Sequence, residues 1–310
     1  MMTPERLQYV VRAEETGLSL RELAERLAGE AGLAAVARGG AWLGERRATD
    51  PEQRLVVGAT LTLRLPPAGG YAELSIGPAA IAYEDAWLVA LHKAPGWYVG
   101  ATPWDTLGNA LAALGRYLVA RDGSPPPLHL AHQLDRDTSG VLLLSKHPTA
   151  NPALQAAFAG GRVEKLYRCL CAGVPSWDAL ELRTGHGRSA GGRWRVYPLE
   201  DVGHALPAGG GRVREAHSSF TLERRLPGAA LLRAQLHTGR THQIRLHLAH
   251  SGHPLLGDTR YGGPVEYAGQ RLAGHLLHAE RLRLAHPITG AELLISSPLP
   301  PLFTTLLEES

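Results

Sequence analysis

Cysteine is nearly absent from this 310-residue chain, and the two present, Cys169 and Cys171, stand one residue apart. In extended backbone that spacing turns both side chains to one face, which suits neither a disulfide framework nor a zinc site; two small core residues are expected. No uninterrupted apolar run approaches the roughly 20 residues that a membrane-spanning helix needs. The start, MMTPERLQYV, lacks the charged-then-apolar layout of a secretory signal, so a cytoplasmic protein with no membrane partner is expected. Internal repeats and nicotinamide or nucleotide fingerprints are also missing. Lysine is scarce, three residues against 29 arginines, within a composition rich in Ala, Gly, Leu and Arg.

What is present fits a folded protein. The hydrophobic set makes up 44% of the residues, enough to bury the core of one large or two modest domains. A formal charge of +3 is compatible with a polyanionic partner, but many ordinary enzymes carry as much. Its distribution says more. Residues 1–66 hold nine Arg against nine acidic residues, whereas 231–262 hold four Arg and five His against a single Asp.

Along the chain, SLRELAERLAGEAG predicts an amphipathic helix over Ser19–Gly32, with Ser19 as cap, Glu22 completing a capping box and Gly32 as stop. AWLGERRATDPEQRL and the alternating ATLTLRL read as short strands after it. The run PPAGG has linker composition, which places a small module at 1–66, a linker at 67–75 and a larger domain at 76–310. In that domain IAYEDAWLVALHK reads as strand, turn, strand. Further strands are expected at 141–146, 165–173, 229–236 and 281–286, and helices around 106–120, 152–159 and from Thr241. Strands outnumber helices without regular interleaving, so the expected class is α+β with a mixed sheet.

Three stretches are dense in chemistry-bearing side chains. HQLDRDTSG (132–140) is a polar loop feeding the apolar run VLLLSK; Asp137, Thr138, Ser139 and Gly140 suit a turn, while Asp135 lies outside the turn proper. The second is TGRTHQIRLHLAHSG (238–252), where Gly239 permits a sharp loop, Thr241 is a candidate N-cap and Ile244 and Leu248 form an i, i+4 apolar pair. Arg245 then falls in the first turn, either an exposed surface residue or an anion partner. In KLYR (165–168), Lys165 and Tyr167 share one strand face with Cys169; Tyr167 is either ordinary core or a stacking platform.

The layout of 1–66 resembles the alpha-L RNA-binding module, although its electrical neutrality argues against strong RNA binding. HQLDRDTSG, EKLYRC, LHTGRTHQIRLHL, GDTRYGG and LLHAERLRLAHP follow one another in the order and approximate spacing of the RluA-type pseudouridine synthases, and together resemble that family over about residues 80–300. The resemblance implies a catalytic domain with a central mixed, largely antiparallel sheet flanked by helices and loops. It implies an isomerase that converts uridine in ribosomal or transfer RNA to pseudouridine; a monomer is the default expectation. Catalytic roles pass to Asp135, Tyr167 and Arg245, and RNA contacts to His132, Gln133, Arg136, Lys165, Arg240, His242 and Lys93.

The reaction breaks a nitrogen–carbon glycosidic bond, turns the uracil and rejoins it through a ring carbon. It consumes no electrons and no phosphate energy, so no cofactor and no metal are implied. An ionised carboxylate acts in it either as nucleophile or as base. Burial alone disfavours the charged form, and an Asp135–Arg245 pair is expected to restore it. The base must leave its stack, and an aromatic face at Tyr167 contributes roughly 1–3 kcal/mol toward that cost. Two positions depart from the family pattern: Gln133 stands where many relatives have Arg, and Lys93 is displaced by one residue from the family's Asn-Lys-Pro loop.

The same residues admit three rival readings. Asp135-Arg136-Asp137-Thr138 superficially looks like the paired aspartates of magnesium-dependent phosphohydrolases, but it lacks their spacing and the apolar strand ahead. His242, His247, His250 and His253 have no carboxylate or thiolate at zinc-site spacing, so a basic helical surface is expected there. An RNA-binding or assembly factor that keeps the fold without turnover is the remaining alternative; the presence of Asp135, Tyr167 and Arg245 argues against it.

Overall fold

The structure, a computed structural model, describes residues 6–67, 70–207 and 209–308. Its contacts divide into two units: residues up to Ile76 together with Trp97–Pro125, and Gly77–Gly96 together with the chain from Pro126 onward.

The first unit is built from β1 (Arg6–Val10), α1 (Leu20–Ala37), β2 (Ala41–Leu43), β3 (Arg46–Arg47), β4 (Thr60–Arg64) and α2 (Ala110–Asp122), its four strands forming an antiparallel sheet in the order β1-β4-β2-β3. Helix α1 begins where its residues predict. The Ser19 hydroxyl accepts from the Glu22 N–H at 3.2 Å and the Glu22 carboxylate accepts from the Ser19 N–H at 2.6 Å, satisfying two of the N–H groups that a helix start leaves open. Gly32 does not end it. The chain bends at Gly29, whose φ of +57° is open to glycine, and helix resumes to Ala37. Leu20, Leu23 and Ala35 thereby share a core with Leu61 and Leu63 of β4.

Residues 97–125 were expected in an unbroken domain from 76 and instead belong to this unit. The reason is a buried carboxylate. Asp105 takes two hydrogen bonds from the Arg38 guanidinium, at 3.1 and 2.8 Å, and Arg47 donates to the Thr102 carbonyl at 2.7 Å. Nothing in the local pattern of 97–109 announces a partner 67 residues away.

The second unit carries β5 (Ile81–Glu84), β6 (Leu88–Lys93), β7 (His129–Leu130), β8 (Ser139–Ser145), α3 (Asn151–Ala159), β9 (Glu164–Ala172), β10 (Ala179–Arg188), β11 (Trp194–Tyr197), β12 (Arg214–Leu226), β13 (Ala229–Leu236), α4 (Gln243–His250), the short pair β14 (Glu266–Tyr267) and β15 (Gln270–Arg271), β16 (Leu277–Ala285), β17 (Glu292–Ser296) and α5 (Pro301–Glu308). Eleven strands form one sheet in the order β11-β10-β12-β13-β9-β16-β8-β6-β5, with β17 on β16 and β7 on β8. The mixed α+β class is as expected. β8 and β16 make the parallel ladder among these strands, and the other pairs are antiparallel.

Two features of this sheet place the loops that follow. Along β9 the buried side chains are Lys165, Tyr167, Cys169 and Cys171, with Leu170 also covered, so both thiols are free core residues. Against that face α4 lays Ile244 and Leu248, in one cluster with Phe220, Leu232 and Leu277. At the β8–β16 ladder Gly140 has φ +112°, and a Cβ there would stand 2.1 Å from the Ala279 carbonyl oxygen. Only glycine lets the two backbones approach this closely. Strands β10 to β12 are hard to read from the sequence because many of their buried positions are small or polar, Thr184, His186, Ala216 and Ser218 among them, with Phe220 and Leu226 the apolar exceptions on β12.

Gly140→Ala is expected to lower the unfolding free energy by at least about 2 kcal/mol, from overpacking plus left-handed strain. Urea denaturation of the purified variant measures it, and a change within about 0.5 kcal/mol would show that the ladder yields.

Candidate active site

The loop between β7 and β8 is fastened from beneath. His132 accepts the Leu143 N–H at 3.1 Å through Nε2 and stacks on Phe158 with centroids 5.1 Å apart. Burial, helped by the charge of Lys165, pushes its pKa down to about 4, so it is a neutral acceptor holding the loop. Lys93 is a correction to the expected phosphate contact. It is only 1% exposed, its Nζ donating to the carbonyls of Ala94 at 2.9 Å and Arg136 at 2.8 Å. Burial pushes this amine down to about 7 against the opposing charges of Asp137 and Asp135, and its reach is spent on shaping the loop. The Thr138 N–H returns to the Asp135 carbonyl at 3.1 Å, and the Thr138 hydroxyl pairs with His275 Nε2 at 2.8 Å. The Asp135 side chain stays partly exposed, at 22%.

Across from it stands Arg245, 110 residues later in the chain. Its Nη1 donates to Asp135 Oδ2 at 2.9 Å, while Nε and Nη2 grip both oxygens of Asp258 at 2.7 and 2.9 Å. The sharing is unequal. Asp258 is 1% exposed at its side chain and takes the two-pronged contact; Asp135 is 22% exposed and takes one. Burial works against the guanidinium charge, but the hydrogen bonds and charges of the two carboxylates outweigh it and push its pKa further up. The predicted pair therefore forms, inside a triad that the sequence reading did not foresee. GDTRYGG was noticed, yet neither Asp258 nor Tyr261 was singled out from it.

His242, not Thr241, caps α4, and it does so with φ +58°, a left-handed conformation rare for a side-chain-bearing residue. That twist aims its ring inward. Nδ1 lies 2.7 Å from the Tyr261 hydroxyl and Nε2 3.7 Å from Asp135 Oδ1. Burial pushes its pKa down to about 4, with Asp135 opposing. In the neutral ring a proton on Nδ1 would turn a lone pair toward the carboxylate; the favourable tautomer has Tyr261 donating to Nδ1 and the N–H on Nε2 facing Asp135.

Gln243 organises the turn ahead of the helix. Its Oε1 accepts from the Arg240 N–H at 2.9 Å and the Thr238 hydroxyl at 2.7 Å, and its Nε2 donates to the His217 carbonyl and Ser218 hydroxyl at 2.9 and 2.8 Å. Lys165 donates to the Thr238 carbonyl at 3.2 Å, and burial together with Arg240 lowers its pKa. Arg240 donates to the Glu215 carbonyl at 2.8 Å. The expected basic surface on α4 is corrected: His247 is buried, its two nitrogens against the hydroxyls of Thr184 and Ser218 at 3.0 Å each, and burial with neighbouring imidazoles pushes it down to about 4. His250 remains exposed.

These elements enclose a cavity of about 500 Å³ lined by Asp135, Tyr167, Arg245, His132, Gln133, Lys165, Arg240 and His242, while Lys93 and Arg136 do not line it. Arg136 is outside, paired with Asp137 at 2.7 Å. The volume suits one nucleoside-sized ligand. Tyr167 is 6% exposed, and burial reinforced by the Asp135 charge raises its pKa, keeping the phenol neutral.

Residues 88–250 match the model of the RNA pseudouridylate synthase family. The chain belongs to that family. It is an isomerase acting on RNA, of the RluA type. RNA pseudouridine synthase 1 of Oryza sativa subsp. japonica is 36% identical over 257 residues, covering 72% of this chain and 73% of the relative. Ribosomal large subunit pseudouridine synthase D of Pasteurella multocida is 31% identical over 241 residues, covering 74% of this chain and 70% of the relative. The solved structure of human RNA pseudouridylate synthase domain containing 4 superposes with a TM-score of 0.60 at 24% identity, over 74% of this chain and 92% of the other, and shows the shared fold.

Asp258→Asn removes a buried charge partner and is expected to cost about 3 kcal/mol or more of stability, because Arg245 is left underpaired. Pseudouridine formation should fall about 100-fold as the guanidinium loses its anchor. Unaltered kcat in a folded variant would mean that Asp258 is dispensable for positioning. The neutral histidines set a pH signature. His132, His242 and His247 titrate near 4 when folded against an ordinary 6.5, so between those values the unfolded chain binds protons that the folded one refuses. The contribution of these three is fully present above about 6.5 and is lost as pH falls toward 4. Urea unfolding across that range should report a shallower decline in His247→Gln, by about one proton.

Proposed function

We propose that Asp135 is the catalytic carboxylate, with Arg245 and Tyr167 as its partners, and that the substrate is a uridine of ribosomal or transfer RNA. The observation that carries this reading is the 2.9 Å contact of Arg245 with Asp135 at the wall of a nucleoside-sized cavity. Arg245 occupies Oδ2 of Asp135, while among the described residues Oδ1 has only His242 Nε2 near it, at 3.7 Å, in a cavity that both residues line. That oxygen is the nucleophile or base when the glycosidic bond opens, and the guanidinium stabilises its ionised form.

Tyr167 sits on β9 beside the same cavity, a neutral aromatic face against which an extruded uracil stacks. Lys165, Arg240 and Gln133 line the same cavity and contact the nucleotide, while His132 braces the loop beside it. The ribosomal assignment draws support from the Pasteurella relative, a ribosomal large subunit pseudouridine synthase. A monomer working in the cytoplasm completes the proposal; among the described residues no helix is long and apolar enough to cross a membrane.

The deciding measurement is tritium release from RNA labelled at carbon five of uridine, with ribosomal and transfer RNA offered separately. Wild-type protein should release tritium from at least one of them. Asp135→Asn should lower turnover by at least about 10³-fold while RNA binding and the thermal unfolding midpoint stay close to wild type. Retained turnover in that variant would remove Asp135 from the chemistry.

A further inference from the structure

We propose that the β10–β11 hairpin is a track for the RNA strand flanking the target uridine, held by the guanidinium groups of Arg188, Arg193 and Arg195. This rests on the reading that the cavity receives a uridine of RNA, and it adds the surface that grips the neighbouring phosphates.

The observations begin with charge. Residues 182–199 carry four arginines and no acidic residue. Arg183 is paired with Glu215 at 2.7 Å, but Arg188, Arg193 and Arg195 are exposed, and among the described residues no carboxylate forms an ion pair with any of them. Three exposed guanidinium groups on one hairpin that no ion pair neutralises favour a polyanion, although Glu181, Glu200 and Asp201 flank the segment. β11 is also the edge of the sheet, where charge blocks strand addition; that purpose asks nothing of side-chain order.

Two of the three are ordered. The Arg188 guanidinium carbon lies 4.9 Å from the Trp194 ring centroid, and Trp194 itself stacks on His186 at 4.8 Å with a 25° interplanar angle. Arg195 lies over Tyr197 at 4.8 Å, with its Nε donating to the Val196 carbonyl at 3.3 Å and its two terminal nitrogens without such a partner among the described residues. A guanidinium resting on a ring keeps its N–H edge available for a phosphate while losing little entropy on binding. The hairpin is also tied to the cavity. His186 Nε2 donates to the Thr241 carbonyl at 2.8 Å, and Thr241 lies between Arg240 and His242 on the cavity wall. Arg214, paired in register with His186 on the neighbouring β12, adds its charge close to Arg240. Arg214 and Arg240 thus stand close together at the cavity wall, Arg188 shares the strand face tied to Thr241, and Arg195, in register with Gly187, lies on the other face of the same hairpin. A second copy of this chain would meet the same unpaired arginines and be repelled, whereas an RNA already seated in the cavity would meet them with its own backbone.

The test compares R188A/R193A/R195A with R225A/R271A/R283A, which removes the same charge from exposed arginines elsewhere on the unit. Binding of a short uridine-containing RNA oligonucleotide is followed by fluorescence anisotropy over a fourfold rise in salt, alongside steady-state turnover. Each lost phosphate contact removes about 0.7 from the salt slope on a single strand, so wild-type affinity should fall roughly 20-fold more than that of the hairpin variant across this range. KM should rise with kcat unchanged, and R188K/R193K/R195K should recover the slope. An unchanged slope in the hairpin variant, or an equal loss in the comparison variant, overturns the proposal. Protein that turns over RNA with a hairpin-independent slope defeats this inference and keeps the functional reading; hairpin-dependent binding without any tritium release does the reverse.

Discussion

Everything at the cavity turns on one guanidinium shared unequally between two carboxylates. Asp258, fully buried, fixes the plane of Arg245 through a two-pronged contact, and Asp135 receives the single N–H that remains. At an effective dielectric constant near 20, unit charges 4 Å apart interact by on the order of 4 kcal/mol, enough to govern ionisation but not enough to dehydrate a charge unaided. The second carboxylate resolves that conflict. It neutralises the cost of burying Arg245 independently of Asp135, so the more exposed acid keeps an oxygen free for the proposed chemistry.

That arrangement needs two placements far apart in sequence. α4 must be seated on the sheet, which Ile244 and Leu248 achieve against Phe220, Leu232 and Leu277. The loop carrying Asp135 must stand beside β16, which the glycine-dependent closeness of β8 and β16 achieves at Gly140. Lys93 and His132 then hold the loop from below by hydrogen bonds to its backbone and to β8. Both would be poor choices for recruiting RNA from solvent, because burial favours their neutral forms.

The same desolvation explains which residues carry charge here. His132, His242 and His247 are pushed to about 4, and Lys93 and Lys165 are lowered, so imidazole and amine groups near the cavity serve mainly as neutral or weakened donors and acceptors. Arginine alone resists, since its guanidinium is weakly hydrated and stays protonated in partly buried surroundings. The concentration of histidine in 231–262 therefore overstates the positive potential of the folded protein. His242 is the instructive case: its left-handed backbone spends local stability to point one neutral ring between Tyr261 and Asp135.

Residue order alone made several things legible, because their causes are local. The Ser19–Glu22 capping box, the strand at VLLLSK, the shared face of Lys165, Tyr167 and Cys169, and the family-defining motifs with Asp135, Tyr167 and Arg245 all follow from spacing within a few residues or from a resemblance spread along the chain. Tertiary structure decided what depends on distant partners. Asp105 draws 97–125 to Arg38, Asp258 joins Arg245, Gln243 bridges the Thr238 turn to β12, and Lys93 turns inward to the Arg136 carbonyl. A side chain's chemistry is written in the sequence. Whether water or another side chain surrounds it is set only when the sheet brings remote segments together, and that surrounding determines whether a histidine or lysine is a charged contact or a neutral brace.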